Sequence, residues 1–193
     1  NHVFSREWIC VGRADALAKS GDYVTFEVAG QPVFVIRGAD GALKAFSNVC
    51  LHRMSTLLEG AGNRSAITCP YHAWTYNLDG TLRGAPAMTQ NECFKKGDYR
   101  LPEIRSAEWL GWVFVTLDKT IPPPHEGLAE VEALIGDFQM ETYIETFREV
   151  HVWDTNWKVL AENFMESYHL PVCHAATIGG LSKLDEMICP PGL

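Results

Sequence analysis

Alternating apolar and polar positions between Tyr23 and Cys50 predict short strands joined by tight turns. The segments YVTFEV, PVFVIR and ALKAF are rich in β-branched and aromatic residues and are separated by AGQ and GADG. The same pattern continues in WTYNLDGTLRG, where Asp79 and Gly80 suit a hairpin turn, and in GWVFVTL at 111–117. We therefore expect an antiparallel all-β domain over residues 1–120, including an N-terminal extension.

Helical periodicity follows the proline run IPPPH at 121–125. Consecutive prolines lack N–H donors and fix φ, so they continue neither a helix nor a sheet ladder, and we place a domain boundary at residue 121. After it, GLAEVEALIGDF has apolar residues at helical spacing, and Thr142 to Trp153 has strand-like composition. Residues 121–193 are expected to mix helices and strands.

A second helix is predicted over residues 155–170, TNWKVLAENFMESYHL. Its apolar residues share one stripe, and Thr155 or Asn156 is available as the N-cap. Pro171 is expected to end or kink this helix, because proline cannot donate the hydrogen bond that the next turn requires.

Composition and charge narrow the classes of partner. The 193 residues are 47% hydrophobic and 21% charged, which is enough apolar material for a core, and the formal net charge is −8. Such an acidic chain lacks the cationic surface that binds phosphates or anionic bilayers. Its apolar stretches, such as Gly111 to Leu117, are far shorter than the roughly 20 residues of a membrane span. We expect neither a nucleic-acid nor a membrane partner.

The six cysteines are too sparse for a disulfide framework, and two of them stand beside histidines. This spacing indicates metal ligation in a reducing compartment, so a cytoplasmic location is expected. The two Cys–His pairs are C50-L-H52 and C69-P-Y-H72. They suit either a tetrahedral zinc ion or a [2Fe–2S] cluster with two thiolates on one iron and two imidazoles on the other. Each loop supplies one Cys and one His, which favours the two-metal cluster; zinc stays as the alternative.

The pattern C-x-H followed by C-x-x-H within hairpins resembles the Rieske iron–sulfur family. The string CPYHAWTYNLDGTLRGAP is similar to its oxygenase branch. The respiratory branch has an additional cysteine in each loop, where this chain has Ser55 and Tyr71. The resemblance implies that one cluster iron is held by the two cysteines and the other by the two histidines of the set Cys50, His52, Cys69 and His72.

A second candidate site lies in the strings E166-S-Y-H169 and L-P-V-C-H174. Residues three apart share a face of a helix, which groups Glu166 with His169, and an opened turn at Pro171 allows His174 to join them. Two imidazoles and one carboxylate form the facial set of non-haem Fe(II) oxygenases, which leaves positions open for O₂ and substrate.

The string NWKVLAENFMESYHLPVCHAA resembles the iron-binding helix of Rieske oxygenase α subunits. The resemblance implies that His169 and His174 bind the mononuclear iron. Glu166 matches the acidic residue that links a Rieske histidine of one subunit to an iron-binding histidine of its neighbour in a trimer. Asn163 is either a donor near the iron or an exposed helix residue. Most members have Asp at the position of Glu166, and Glu occurs in branches acting on quaternary ammonium compounds, which gives a weak preference for N-demethylation over ring hydroxylation.

The family's third iron ligand is an Asp far downstream. Asp185 and Glu186 are much too close to His174 for that role. We therefore expect that further residues follow Leu193 and that some precede Asn1.

The resemblance implies an α+β fold, in which an all-β Rieske [2Fe–2S] domain is followed by the incomplete start, at 121–193, of an α+β helix-grip catalytic domain. The implied function is an oxygenase component that passes electrons from the cluster to a mononuclear Fe(II), activates O₂, and hydroxylates or N-demethylates a small organic substrate. Its implied partners are an NAD(P)H-dependent reductase or ferredoxin and two further copies in a homotrimer. A Rieske-type electron carrier without oxygenase chemistry is the alternative.

Overall fold

Strands dominate the first part of the chain. The computed structural model describes residues 2–88 and 90–181, and its contacts divide the chain after Phe147 into two units that are treated separately here. The strands are β1 (Ile9–Arg13), β2 (Asp22–Val28), β3 (Gln31–Arg37), β4 (Leu43–Ser47), β5 (Ala61–Asn63), β6 (Ile67–Thr68), β7 (Thr75–Tyr76), β8 (Leu82–Gly84), β9 (Glu103–Trp109) and β10 (Trp112–Thr116). One antiparallel sheet has seven strands in the order β1-β10-β9-β4-β3-β2-β5, and β6-β7-β8 form a second sheet of three.

The strands predicted from alternation are confirmed as β2, β3, β4 and β10, and the hairpin around Asp79 and Gly80 as β7 and β8. The sequence pattern missed β1 and β9, which pair with the two sides of β10. β9 interrupts its apolar residues with Glu103, Arg105 and Glu108, and β1 has an irregular register near Gly12. Both features weaken the alternation on which strand prediction depends.

Strand β3 separates two apolar cores. Val33 and Val35 point to a core within the large sheet, whereas Phe34 and Ile36 point to a second core that reaches Cys50 and Cys69. These four consecutive side chains of β3 are fully buried, because successive strand residues face opposite sides of the sheet and both sides are covered. The two cysteines therefore belong to the apolar core on one side of the sheet.

A buried guanidinium holds the chain that follows β10. The Arg13 side chain is only 6% exposed and donates to the carbonyl oxygens of Leu110, Met140 and Tyr143 at 3.3, 2.9 and 2.5 Å. Its Cζ also lies 5.0 Å from the centre of the Trp112 ring. These contacts fix residues 140–143 against β1, because each carbonyl oxygen would lose its buried partner without the guanidinium.

The helices are short: α1 (Pro124–Gly127), α2 (Ala129–Ile135), α3 (Trp157–Met165) and α4 (Leu170–Cys173). The first predicted helix is confirmed as α2 with a 3₁₀ turn after it. The strand-like composition of Thr142 to Trp153 is not matched by a strand, because residues 143–153 have no ladder partner among the described residues. None of the described helices is long and apolar enough to cross a membrane. The domain boundary at residue 121 stays a prediction, and the first contact unit continues beyond it to Phe147.

The second predicted helix is shorter than expected. The Asn156 side chain caps α3 by accepting from the Lys158 N–H at 3.0 Å, as predicted. The helix ends at Met165, and Glu166 is extended with φ −123° and ψ 157°. Pro171 occupies the first turn of α4, a position where its missing N–H costs nothing. The break therefore comes at Glu166 and not at Pro171.

Candidate metal centres

Two loops of equal construction carry the Cys–His pairs. Residues 50–55 lie between the bridged pair Val49 and Thr56, and residues 69–74 lie between the paired strand residues Thr68 and Thr75. In both loops the cysteine N–H donates to the carbonyl oxygen five residues later, at 2.8 Å. The cysteine carbonyl accepts from the N–H four residues later, at 3.0 Å in the first loop and 3.1 Å in the second. The sequence does not reveal this common backbone structure, because the histidine is the third residue of the first loop and the fourth residue of the second.

The fifth residue of each loop reverses the chain. Met54 and Ala73 have φ values of 58° and 56°, in the left-handed region that residues other than glycine seldom adopt. The hydrogen bonds on both sides of each residue hold this conformation. The strain is of order 1 kcal/mol or more per residue, and such strain is common where a loop must present its side chains to one point.

The two sulfur atoms lie at the base of the loops. Cys50 and Cys69 are 1% and 3% exposed. Burial alone would raise the pKa of the Cys69 thiol, but the backbone N–H groups of Tyr71 and His72 donate to its sulfur and bring the pKa below its ordinary value. The side chains of Cys50 and Ser55 also contact this sulfur. The loop therefore favours the thiolate, which is the form that binds metals.

The two imidazole rings meet above the sulfurs. The ring centres of His52 and His72 are 4.7 Å apart and the rings are nearly perpendicular. The Nδ1 atoms of both rings are buried without a hydrogen-bond partner in the protein. Buried polar atoms are normally paired, so two unpaired nitrogens beside a thiolate pair fit a metal group. The donor set of two sulfurs and two imidazole nitrogens matches the Rieske [2Fe–2S] cluster.

Aromatic side chains enclose these donors. The Trp74 ring stacks on the His52 ring, with centres 4.9 Å apart and planes at 6°. The Tyr71 ring lies 3.8 Å from the His72 ring, centre to centre, and is 60% exposed. One imidazole is therefore covered by a buried indole, and the other by a ring at the surface.

A buried tyrosine touches the first loop from below. The Tyr76 hydroxyl accepts from the Leu51 N–H at 3.1 Å and lies 3.5 Å from the Cys50 sulfur. Because the backbone N–H supplies one bond, the hydroxyl proton is free to be donated to the sulfur. Burial, followed by the bond to Cys50, raises the pKa of Tyr76 well above its ordinary value. Tyr76 therefore stays protonated and is a neutral hydrogen-bond donor at neutral pH.

The second candidate site is formed by the turn between α3 and α4. Glu166 Oε1 contacts His169 Nδ1, and its Oε2 accepts from the N–H groups of Tyr168 and His169 at 2.5 and 3.3 Å. The bond from His169 is the main reason that the pKa of Glu166 lies below its ordinary value. The ring centres of His169 and His174 are 5.4 Å apart. The contact between Glu166 and His169 Nδ1 orients the His169 ring and leaves its Nε2 available for a metal, as is common for metal-binding histidines.

Asn163 is the remaining residue predicted for the second site. Asn163 is exposed on α3. Within residues 2–88 and 90–181, no group of three or more His, Cys, Asp or Glu side chains is arranged to hold a single metal ion. Asp185 and Glu186 lie outside the described residues. The structure thus brings Glu166, His169 and His174 together and leaves the role of Asn163 a prediction.

Comparison with known proteins decides between the interpretations of these sites. Residues 7–99 match the model of the Rieske [2Fe-2S] domain, and residues 139–187 match that of the ring hydroxylating alpha subunit catalytic domain. The chain belongs to the family of Rieske oxygenase α subunits. This membership confirms the predicted α+β fold class and the predicted Rieske and non-haem iron cofactors, whereas the individual ligands stay predictions.

Several members of the Rieske oxygenase family are similar over most of this chain. The carnitine monooxygenase oxygenase subunit of Acinetobacter pittii is 37% identical over 180 residues, which are 89% of this chain and 47% of that protein. The glycine betaine monooxygenase oxygenase subunit of Chromohalobacter salexigens is 32% identical over 185 residues, 95% of this chain and 41% of that protein. The chain therefore spans about half the length of these relatives.

A solved structure agrees with this placement. A quaternary ammonium Rieske monooxygenase in complex with L-carnitine superposes with a TM-score of 0.87 at 35% identity, covering 96% of this chain and 53% of that one.

Proposed function

We propose that this chain is part of an oxygenase component that passes electrons from a Rieske cluster to a mononuclear Fe(II), activates O₂ with them, and oxidises a small organic substrate. Cys50 and Cys69 would hold one iron of the cluster, and His52 and His72 the other. His169 and His174 would bind the mononuclear iron. When bound, the cluster supplies single electrons and the Fe(II) supplies the site for O₂ reduction.

The observation that carries the proposal is the pair of buried, unpaired Nδ1 atoms of His52 and His72. They are presented by loops whose cysteine sulfurs lie in the adjacent core. The chain itself contributes three things to the cluster: thiolate stabilisation by the N–H groups near Cys69, a dry enclosure that includes Trp74, and fixed ring positions. Together they orient the ligands and limit the access of water to the cluster, and these factors tune its potential.

At the second site, Glu166 would act on the iron through His169. Its carboxylate accepts the Nδ1 proton of that ring, which fixes the tautomer and leaves Nε2 as the metal-binding atom. The family role, in which this acid also reaches a Rieske histidine of a neighbouring subunit, is part of the proposal. An electron carrier has no use for this grouping, which favours the oxygenase over the carrier.

Tyr76→Phe is expected to lower the cluster potential. The Tyr76 hydroxyl lies within hydrogen-bond distance of the Cys50 sulfur, and a donor to a ligand sulfur stabilises the more negative, reduced state. Loss of one such bond, about 1 kcal/mol, corresponds to a fall on the order of tens of millivolts for a one-electron couple. A redox titration of the visible spectrum measures the shift. A potential equal to that of the unchanged protein would show that the hydroxyl does not donate to the sulfur.

Quaternary ammonium compounds are the substrate class that we propose. Carnitine and glycine betaine monooxygenases are among the relatives of this chain, and Glu166 stands where the resemblance associates Glu with the quaternary ammonium branches. Ring hydroxylation is the competing proposal, supported by the 29% identity and TM-score of 0.80 to naphthalene 1,2-dioxygenase, which covers 98% of this chain and 45% of that one.

The proposed partners are an NAD(P)H-dependent reductase or ferredoxin and two further copies of the chain in a homotrimer. A subunit of a related quaternary ammonium Rieske monooxygenase takes part in inter-subunit electron transfer, which supports an assembly of several copies. The cytoplasm stays the proposed location, supported by the sparse cysteines.

The experiment uses the full-length protein, purified anaerobically. The oxidised protein should show the visible absorption of a [2Fe–2S] cluster and iron beyond the cluster content. With reductase, NADH and O₂, it should consume carnitine or glycine betaine and leave naphthalene unchanged. A colourless protein containing zinc would refute the iron centres, whereas conversion of naphthalene and of neither quaternary ammonium compound would refute the substrate class alone.

A further inference from the structure

A series of packed rings leads from His52 to the protein surface. Trp74, which is 3% exposed, stacks on His52 at 4.9 Å and meets Tyr99 edge to face at 5.3 Å between ring centres. It also contacts Phe94 at 5.7 Å. Phe94 and Tyr99 stack on each other at 4.9 Å and are both partly exposed. No other side chain is needed to connect the imidazole with this surface.

Such a series provides a favourable route for an electron. Electron tunnelling falls off steeply with every gap between bonded groups, and the two ring contacts from His52 through Trp74 to Tyr99, one stacked and one edge to face, keep those gaps few. The opposite side of the site offers the Tyr71 ring on His72, which is exposed at the loop tip. The site therefore has two separate exits to the surface.

The segment that contains Phe94 and Tyr99 has more basic than acidic side chains. Residues 83–100 contain four basic and two acidic side chains, although the whole chain carries −8. The basic residues are all exposed, and none forms an ion pair within the described part of the chain: Arg83, Lys95, Lys96 and Arg100. The hydrogen bond from the Leu82 N–H to the Tyr99 carbonyl, 3.0 Å long, holds the beginning of this segment beside its end.

We propose that residues 83–88 and 90–100, which we name the entry face, are the docking surface for an acidic iron–sulfur electron donor, and that Trp74 and Tyr99 carry its electron to the cluster. This inference rests on the proposed function. Charge complementarity argues for this occupant, because a local excess of basic side chains attracts an acidic protein, whereas a two-fold contact between copies would bring the same basic side chains face to face.

The step involves one electron and no covalent change. The reduced donor loses one electron from its own cluster, and the oxidised Rieske cluster gains it. No bond forms or breaks in Trp74 or Tyr99, which act as the medium between the two centres. Each donor therefore reduces one cluster and leaves.

The first arm of the test measures docking in the full-length holoprotein. Reduced plant-type [2Fe–2S] ferredoxin, chosen for its negative charge, is mixed with the oxidised protein, and loss of the Rieske absorption is followed by stopped flow. The double variant Lys95→Glu and Lys96→Glu should lower the second-order rate about tenfold or more at low salt, with a smaller effect at high salt. The matched control, Lys19→Glu with Lys119→Glu, makes the same charge change at two other exposed positions.

The second arm measures transfer after docking. Tyr99→Leu removes the ring, and Tyr99→Phe keeps it. We expect the limiting rate at saturating ferredoxin to fall severalfold in Tyr99→Leu and to be restored in Tyr99→Phe, while redox titration gives the same potential for both. A purely structural role of Tyr99 would change the cluster spectrum or the potential as well.

Three outcomes would overturn the proposal. Equal second-order rates for the two double variants would refute docking at the entry face. Equal limiting rates for Tyr99→Leu and Tyr99→Phe would refute electron transfer through Tyr99. Slowing by Arg53→Glu at the loop tip, with no effect at Lys95 and Lys96, would move the entry to the Tyr71 side. In each case a normal cluster spectrum leaves the proposed function intact, whereas a protein without a cluster refutes both.

Discussion

His72→Cys is expected to retain a cluster while lowering its potential by ~120 mV or more, the difference between imidazole and thiolate ligation being of that order or larger. A thiolate at this position replaces a neutral imidazole, and a third thiolate adds negative charge to the centre. For a one-electron couple each 59 mV is a factor of ten, so such a fall lowers the equilibrium ratio of reduced to oxidised cluster about 100-fold. Turnover with the natural donor should therefore be nearly abolished.

The measurement combines a redox titration with substrate oxidation by the full-length protein. His125→Cys is the matched control, because His125 is exposed on α1 and the same exchange there should leave potential and turnover unchanged. Normal turnover by His72→Cys would contradict the assignment of His72 as a cluster ligand. Complete loss of the cluster would show instead that the second loop does not tolerate sulfur at this position.

Much of the first site could be predicted because its information is local. The two short Cys–His spacings define which residues meet, and the hairpin pattern around them predicts loops at the ends of strands. The equal construction of the loops was not predictable, because it depends on left-handed backbone at Met54 and Ala73. Nothing in a methionine or an alanine indicates such a conformation, which is held by hydrogen bonds within each loop.

The contacts behind the first site depend on long-range packing. Tyr76 looks like an ordinary strand residue in the sequence, and its hydroxyl finds the Cys50 sulfur only when β7 lies under the first loop. Trp74 reaches His52, 22 positions earlier in the sequence (74 − 52), only because the two loops close together. Alternation of apolar residues predicts that such side chains are buried, but it cannot predict what polar group they meet.

The helix expected through the second site was wrong, whereas the roles of its residues stay predictions. A continuous helix would have placed Glu166 and His169 on one face. The helix instead ends at Met165, and the Glu166 carboxylate makes the contact by accepting from the backbone N–H groups of the following turn. A side chain that competes with the helix for these N–H groups ends it. The spacing of apolar residues cannot predict this competition for backbone N–H groups.

Glu166→Gln is expected to keep both metal centres and to slow product formation by about 10-fold to 100-fold, the usual cost of losing a carboxylate partner of a metal-binding histidine. The amide can still accept from His169 Nδ1 with its oxygen, but its NH₂ group cannot accept from the N–H groups of Tyr168 and His169. The variant therefore loses the negative charge and part of the turn's hydrogen bonding. Metal analysis and single-turnover product yield separate binding from reaction.

Glu162→Gln is the control, because Glu162 is exposed on α3 and the exchange removes the same charge four residues earlier. Its turnover and metal content should equal those of the unchanged protein. Loss of the mononuclear iron in Glu166→Gln, with the cluster spectrum intact, would make Glu166 a direct ligand. Unchanged product formation in Glu166→Gln would instead show that the Glu166 carboxylate is not needed for electron transfer, because a neutral amide would then serve equally well beside His169.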